Sequence, residues 1–392
     1  MRTERLHYAD TFLFSFDAHV VAHSSFGDRP SVVLDRSAFY AEAGGQMADH
    51  GLLGGARVID VQVDEEGVVH HLLDGALPVV GTRITGTIDA PRRRLFAALH
   101  TAQHVLSRAL VDVARADTVS ARLGETIATI DVKEALTDAK VSECEALVND
   151  LVEENRAVRA WFPTADELAG LALRRAPKQT ENIRVVEVAG FDVTPCGGTH
   201  VAHTSQIGVV RVVGSERYKG GTRVSFHAGA RARKALFEED EVLRALARSF
   251  TCSTDGVVVA VERLRGELTQ AHEESGRLRS LLARRIAGDA ADETTAERVV
   301  LVLEDGGVEL AQKVAAELTK DGIRLAVVAV HVDGGAHLVV ARGPASQANA
   351  GAIVRAITAA AGGKGGGRPE RAEGRIPAGA DVHAAIAAGL AG

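Results

Sequence analysis

The chain has 392 residues, 46% of them hydrophobic and 25% charged, the composition of a soluble globular protein. That length exceeds one ordinary core, and roughly two to four domains are expected. A formal net charge of -7 excludes a nucleic-acid binder that uses its whole surface, while leaving room for a local basic face.

Residues 1–90 read as strands: "TFLFSFDAHVVAH", "SVVLDRSAFY", "ARVIDVQVDEEGVVHHLL" and "TRITGTID" alternate or run in β-branched residues, with Gly and Asp at turns. A small N-terminal β-barrel is predicted, with the Gly-rich "FYAEAGGQMADHG" inside it. The pattern changes at Pro91, which suits a first helical turn, and Leu95, Leu99, Leu106 and Leu110 give the helix an apolar face. Strand-like "TVSARLGETIATIDV", a helix over about 137–160 and further strands complete an α+β domain over 91–233.

Residues 234–292 are helical and charged. Val261, Leu264, Leu268, Ala271, Ser275, Leu278 and Leu282 fall at steps of three and four, which suits either a coiled-coil arm or a plain surface helix. Residues 293–392 alternate strand and helix as a C-terminal α/β domain with a Gly-rich loop. That loop, "GGKGGG", is no phosphate-binding P-loop, because Gly365 follows Lys364 where Ser or Thr would be required. The whole reads as an α+β multidomain protein.

Cys144, Cys196 and Cys252 show no disulfide spacing, and "MRTERLHYAD" has no apolar signal core, so a cytoplasmic protein is expected. In "PCGGTHVAHTSQIG", Cys196 and His200 stand four apart around two glycines that let the backbone curl. In "LHTAQHVL", His100 and His104 project from one helix face at i and i+4. Together they form a mixed nitrogen and sulfur set that Zn²⁺ accepts in a tetrahedron. His203 is an alternative to His200, or a surface residue.

"HTAQH", "CGGTHV…IG", "FYAEAGGQMADHG" and "SARLGETIATIDV" resemble, in order and spacing, the editing domain of alanyl-tRNA synthetase and its free-standing AlaX-type relatives. "GGKGGGRPE" is similar to the small domain that ends those synthetases, so the likeness is nearest to the long AlaX form. By resemblance the zinc ligands are His100, His104, Cys196 and His200, with Gln46 of the Gly44-Gly45-Gln46 turn in the editing pocket. The implied activity is hydrolysis of mischarged Ser-tRNA(Ala), and Gly-tRNA(Ala) as a second substrate, by a trans-editing deacylase without an adenylating domain. Such an activity answers a physical need, since a pocket built for alanine discriminates against small neighbours by only about 1–3 kcal/mol.

Within that reading Gln46, His100 and His104 are the catalytic candidates, and Gly44, Gly45 and Gln46 line the substrate. Thr199 and Ser120 are pocket-lining candidates beside a turn-and-strand role. Arg92, Arg93 and Arg94, with Arg217, Lys219 and Arg223, are candidates for phosphates of the tRNA partner. Four protein ligands describe a closed structural site, so a non-catalytic tRNA-binding protein with structural zinc is the alternative. A homodimer through the arm or the C-terminal domain is the expected self-association.

Overall fold

The computed structural model describes residues 3–177, 179–292, 296–320, 324–332 and 334–391. The chain divides into two compact units, Met1–Ala245 and Leu246–Gly392. The expected boundary at 233/234 falls inside a helix that has already begun at Gly229, and that at 292/293 borders residues outside those described.

In the first unit, strands Ser15–Phe26, Arg29–Leu34, Val69–Asp74, Ala56–Val63, Gly51–Leu53 and Arg83–Ile88 pair in that order and close on themselves. Alternation sets the inward face: Phe16, Ala18 and Val20 are buried while Asp17 and His19 face out. Phe39, Leu34, Leu53 and Val61 fill the interior. Closure leaves no free sheet edge in this ring.

Helix α1 (Ala90–Ala114) follows. The Asp89 side chain accepts from the Arg92 amide, Pro91 sits in the first turn, and Arg115 closes the far end at φ 55°. Its buried Leu99, Leu106 and Leu110 meet Ile130 and Phe226 of a four-stranded antiparallel sheet ordered Val210–Tyr218, Gly221–Ala228, Ala128–Val132, Thr118–Leu123. Helix α2 (Asp138–Glu153) packs against the same core. It is shorter than the 137–160 helix expected, because Asn155 turns left-handed at φ 51° and Val158–Trp161 pairs as a strand with Val185–Val188. A short helix α3 (Ala165–Gly170) intervenes, and Asp192–Pro195 completes a three-stranded sheet that delivers the chain to Cys196. The unit ends at Ala245, within helix α4 (Gly229–Ser249).

In the second unit, helix α5 (Val257–Asp292) has 36 residues, about 54 Å at 1.5 Å per residue. Its Ala283, Ala287 and Ala290 are buried with Leu310 and Val314 of α6 (Gly307–Leu318). Leu264, Leu268, Leu278 and Leu282 of the heptad seam are exposed at 48–55%. The sheet here runs Arg298–Leu303, Leu325–Val332, Gly335–Arg342, Arg371–Pro377, Lys364–Gly367, and only its first pair is parallel. Helices α7 (Ala350–Ala360) and α8 (Val382–Ala391) cover one face. The expected Gly-rich loop is instead the edge strand Lys364–Gly367. A Cβ at Gly365 would stand 2.4 Å from Val354 of α7, so the glycine permits strand and helix to close together.

Candidate metal centre and groove

α1 and the Cys196–His200 turn bring four donors together. One ligand atom from each of His100, His104, Cys196 and His200 lies within 4.8 Å of every other. The Cys196 Sγ is 3.4 Å from His100 Nε2 and 3.3 Å from His200 Nε2. A tetrahedron with Zn–S of about 2.3 Å and Zn–N of about 2.05 Å has S···N edges near 3.5 Å. The donor set therefore fits zinc in chemistry, and its two S···N edges to His100 and His200 fit in spacing. His203 is exposed and lies outside the cluster, which leaves His200 as the fourth donor.

Two of the imidazoles are set by a hydrogen-bonding neighbour behind them. Gln46 Oε1 accepts from the Thr199 amide at 3.1 Å and from His100 Nδ1 at 2.7 Å, while its Nε2 donates to Thr199 Oγ1 at 2.8 Å. The backbone donor fixes which end of the amide is oxygen. His100 must then carry its proton on Nδ1, leaving the Nε2 lone pair to the cluster. Thr101 does the same for His200. Its hydroxyl donates to Ala97 O at 2.8 Å and so accepts from His200 Nδ1 at 3.1 Å and the Val201 amide at 3.2 Å. His104 Nδ1 has no hydrogen-bond partner but sits 3.8 Å from the Asp192 carboxylate, which Arg174 holds at 2.8 and 3.2 Å.

The protonation states suit metal ligation. Burial holds all three imidazoles neutral, His100 at about 3, His200 at about 4 and His104 well below its ordinary value. Burial alone would raise the Cys196 thiol. His200, the Gly198 amide and Arg184 outweigh it and lower the thiol instead. Three neutral imidazoles and a thiol inclined to ionise are the form in which these residues ligate a metal.

A groove of about 1290 Å³ opens beside the cluster, lined by Tyr8, Tyr40, Gly44, His100, Arg184 and Cys196 among others. Not every expected pocket residue reaches it. Gln46 and Thr199 are both fully buried behind His100, so the expectation that they contact substrate or water is corrected: they hold a ligand. Gly44 lines the groove at φ 58°, whereas Gly45 is pinned beneath it, where a Cβ would meet Ala121 O at 2.3 Å. Ser120 lines the groove and donates to Asp131.

The phosphate expectation for Arg93 is overturned. Its guanidinium is completely buried on Asp49 and the Thr11 and Ala38 carbonyls, where it ties α1 to the barrel. Arg92 is likewise taken up by Glu125 at 2.7 Å and the Ala48 carbonyl, with little of it exposed. Arg223 forks onto Asp131 and lies over Tyr218, while Arg94 stays exposed against Phe14.

Gly198 is required for a reason that spacing does not reveal. A Cβ there would stand 2.1 Å from His100 Cε1, so the glycine is needed for close approach rather than for curl. Thr101 stood inside "HTAQH", between two ligands, and that position was its only sequence signal. Asp192, Arg174 and Arg184 carried none.

Residues 4–92 match the model for tRNA synthetases class II (A), and residues 183–225 match that for the threonyl and alanyl tRNA synthetase second additional domain. Alanine–tRNA ligase of Methanosarcina acetivorans is 34% identical over 397 residues, 95% of this chain and 42% of that one. The ligase of Pyrococcus furiosus is 32% identical over 392 residues with the same coverage. The chain is related to alanyl-tRNA synthetases, which it matches over 95% of its own length. It carries editing-type domains and spans 42% of the length of those relatives. The crystal structure of the C-Ala domain from Aquifex aeolicus alanyl-tRNA synthetase matches 24% of this chain and 89% of that one, at 19% identity and TM-score 0.22. Among the described residues no helix is long and apolar enough to cross a membrane.

Proposed function

We propose that this chain is a trans-editing deacylase that hydrolyses the ester joining a wrong amino acid, serine first and glycine second, to the 3′ end of tRNA(Ala). The observation that carries the reading is a zinc-compatible donor set bordering a groove large enough for an aminoacylated nucleotide. His100, His104, Cys196 and His200 would hold Zn²⁺, which when bound supplies a Lewis acid and lowers the pKa of an attached water. Gln46 and Thr101 act through His100 and His200 by holding their ring protons on Nδ1, so that the lone pairs face the cluster. Gly44 and the Cys196 turn border the groove in which the ester would lie. The reaction is hydrolysis of that ester, in the cytoplasm.

A second reading follows from the same donors. Four protein ligands complete a tetrahedron, which favours a structural metal and a tRNA-binding role without catalysis. Deacylation of Ser-tRNA(Ala), Gly-tRNA(Ala) and Ala-tRNA(Ala) by the purified chain, with His104→Ala beside it, separates the two. Loss of the seryl ester, sparing of the alanyl ester and an inactive variant support the enzyme. No hydrolysis by folded protein that holds zinc leaves the binding role.

A further inference from the structure

Arg184 is a buried cation without a carboxylate partner among the described residues. Its residue is 6% exposed, Nη1 donates to the carbonyls of Cys196 and Gly198, and Nε is buried with no hydrogen-bond partner. The groups that act on its charge are Cys196, Tyr8 and Tyr40, none of them a carboxylate. Arg5 and Arg175 line the same groove. Arg184 and Arg5 flank Tyr8, their guanidinium carbons 5.1 and 5.8 Å from its ring centre, while Arg184 and Arg175 both act on His100. Among the described residues none of the three arginines has a carboxylate within ion-pair distance. The acids that line the groove, Asp64, Glu65, Glu66 and Glu181, pair with none of them.

Burying a cation is costly unless an anion joins it. A bound divalent metal with one thiolate would leave the neighbourhood still more positive. An anion from outside the chain is what the groove lacks. Guanidinium groups favour phosphate, which they hold by paired, charge-assisted hydrogen bonds. The wall also offers a flat apolar face: Phe162 is 48% exposed and meets Tyr8 edge-on at 5.5 Å. An exposed aromatic beside a cationic patch stacks a base while the patch takes the phosphate.

We propose that Arg184, Arg5 and Arg175 form a phosphate subsite in the groove wall, with Phe162 as its base platform, and that together they take the terminal nucleotide of a single-stranded nucleic-acid end. The assignment rests on the deacylase reading for its choice of ligand, but its test is binding and needs no hydrolysis.

The full chain is titrated with adenosine 5′-monophosphate, adenosine and inorganic phosphate by calorimetry, at two salt concentrations. The nucleotide should bind about ten-fold more tightly than the nucleoside, since one charge-assisted contact is worth that much. Rising salt should shrink the difference. Arg175→Gln, on an exposed position, should remove most of the preference and leave adenosine binding intact, and Arg184→Lys should reduce it with zinc content unchanged. Phe162→Ala should weaken nucleotide and nucleoside alike. Equal binding of the two in the wild type, or a preference that survives both arginine changes, overturns the subsite. Binding of inorganic phosphate with no adenosine affinity overturns the nucleotide assignment. A preference that holds while Ser-tRNA(Ala) stays intact sinks the deacylase reading and leaves the subsite standing.

Discussion

Substituting Gly198→Ala perturbs the cluster with one methyl group. Its Cβ would lie 2.1 Å from His100 Cε1, 2.3 Å from Nδ1 and 3.0 Å from Gln46 Oε1. Ordinary carbon contacts begin at about 3.5 Å, so ring or turn must yield by about 1.4 Å. Coordination distances tolerate only about 0.2 Å, and the His100 ring is further held by its 2.7 Å hydrogen bond to Gln46. The strain of such overpacking is typically about 1–3 kcal/mol, borne mainly by the cluster because α1 behind it is close-packed. The expected result is a folded protein whose zinc affinity, measured by competition with a chromogenic chelator, falls at least as far as on loss of a supporting hydrogen bond, about 10–100-fold. Wild-type affinity in Gly198→Ala would refute the placement of His100 against the turn, and with it the tautomer argument.

Gln46→Ala leaves His100 Nδ1 and the Thr199 amide without partners and should weaken zinc binding about 10–100-fold, read by the same competition. Arg93→Met strands a buried Asp49 and should cost about 3–5 kcal/mol in urea unfolding of the first unit, an outcome that a phosphate-binding Arg93 at the surface would not give. Metal-free protein should lose stability as pH falls. His100 and His200 titrate at about 3 and 4 when folded but near 6.5 when unfolded. The unfolded chain therefore binds more protons across that window, stability is full above 6.5, and it declines towards pH 3–4. A melting temperature flat between pH 7 and 4 would show that these imidazoles are not buried neutral. Removal of zinc with a strong chelator, followed by a deacylation assay, should abolish seryl-ester hydrolysis. Retained hydrolysis would point to the structural-metal reading.

The residue types and spacings made the donor set legible, with His203 left as an alternative to His200. His100 and His104 fall on one face of any helix that contains them, because 3.6 residues make a turn, and Cys196 and His200 flank a short turn wherever it lies. The strand alternation of 15–26 and the apolar periodicity of α1 were equally legible, since each depends on local geometry and burial of one face. Tertiary structure decided what no local rule encodes. It carried Gln46 across 54 residues to His100, so that an amide expected to meet substrate became a buried support. It sank Arg93 onto Asp49, converting a charge run that looked like a phosphate-binding face into an internal strut. It also left Arg184 buried without a carboxylate partner among the described residues. Charge and hydrogen-bonding capacity are properties of a residue, but whether they are satisfied depends on partners distant in sequence, and only the folded chain supplies those.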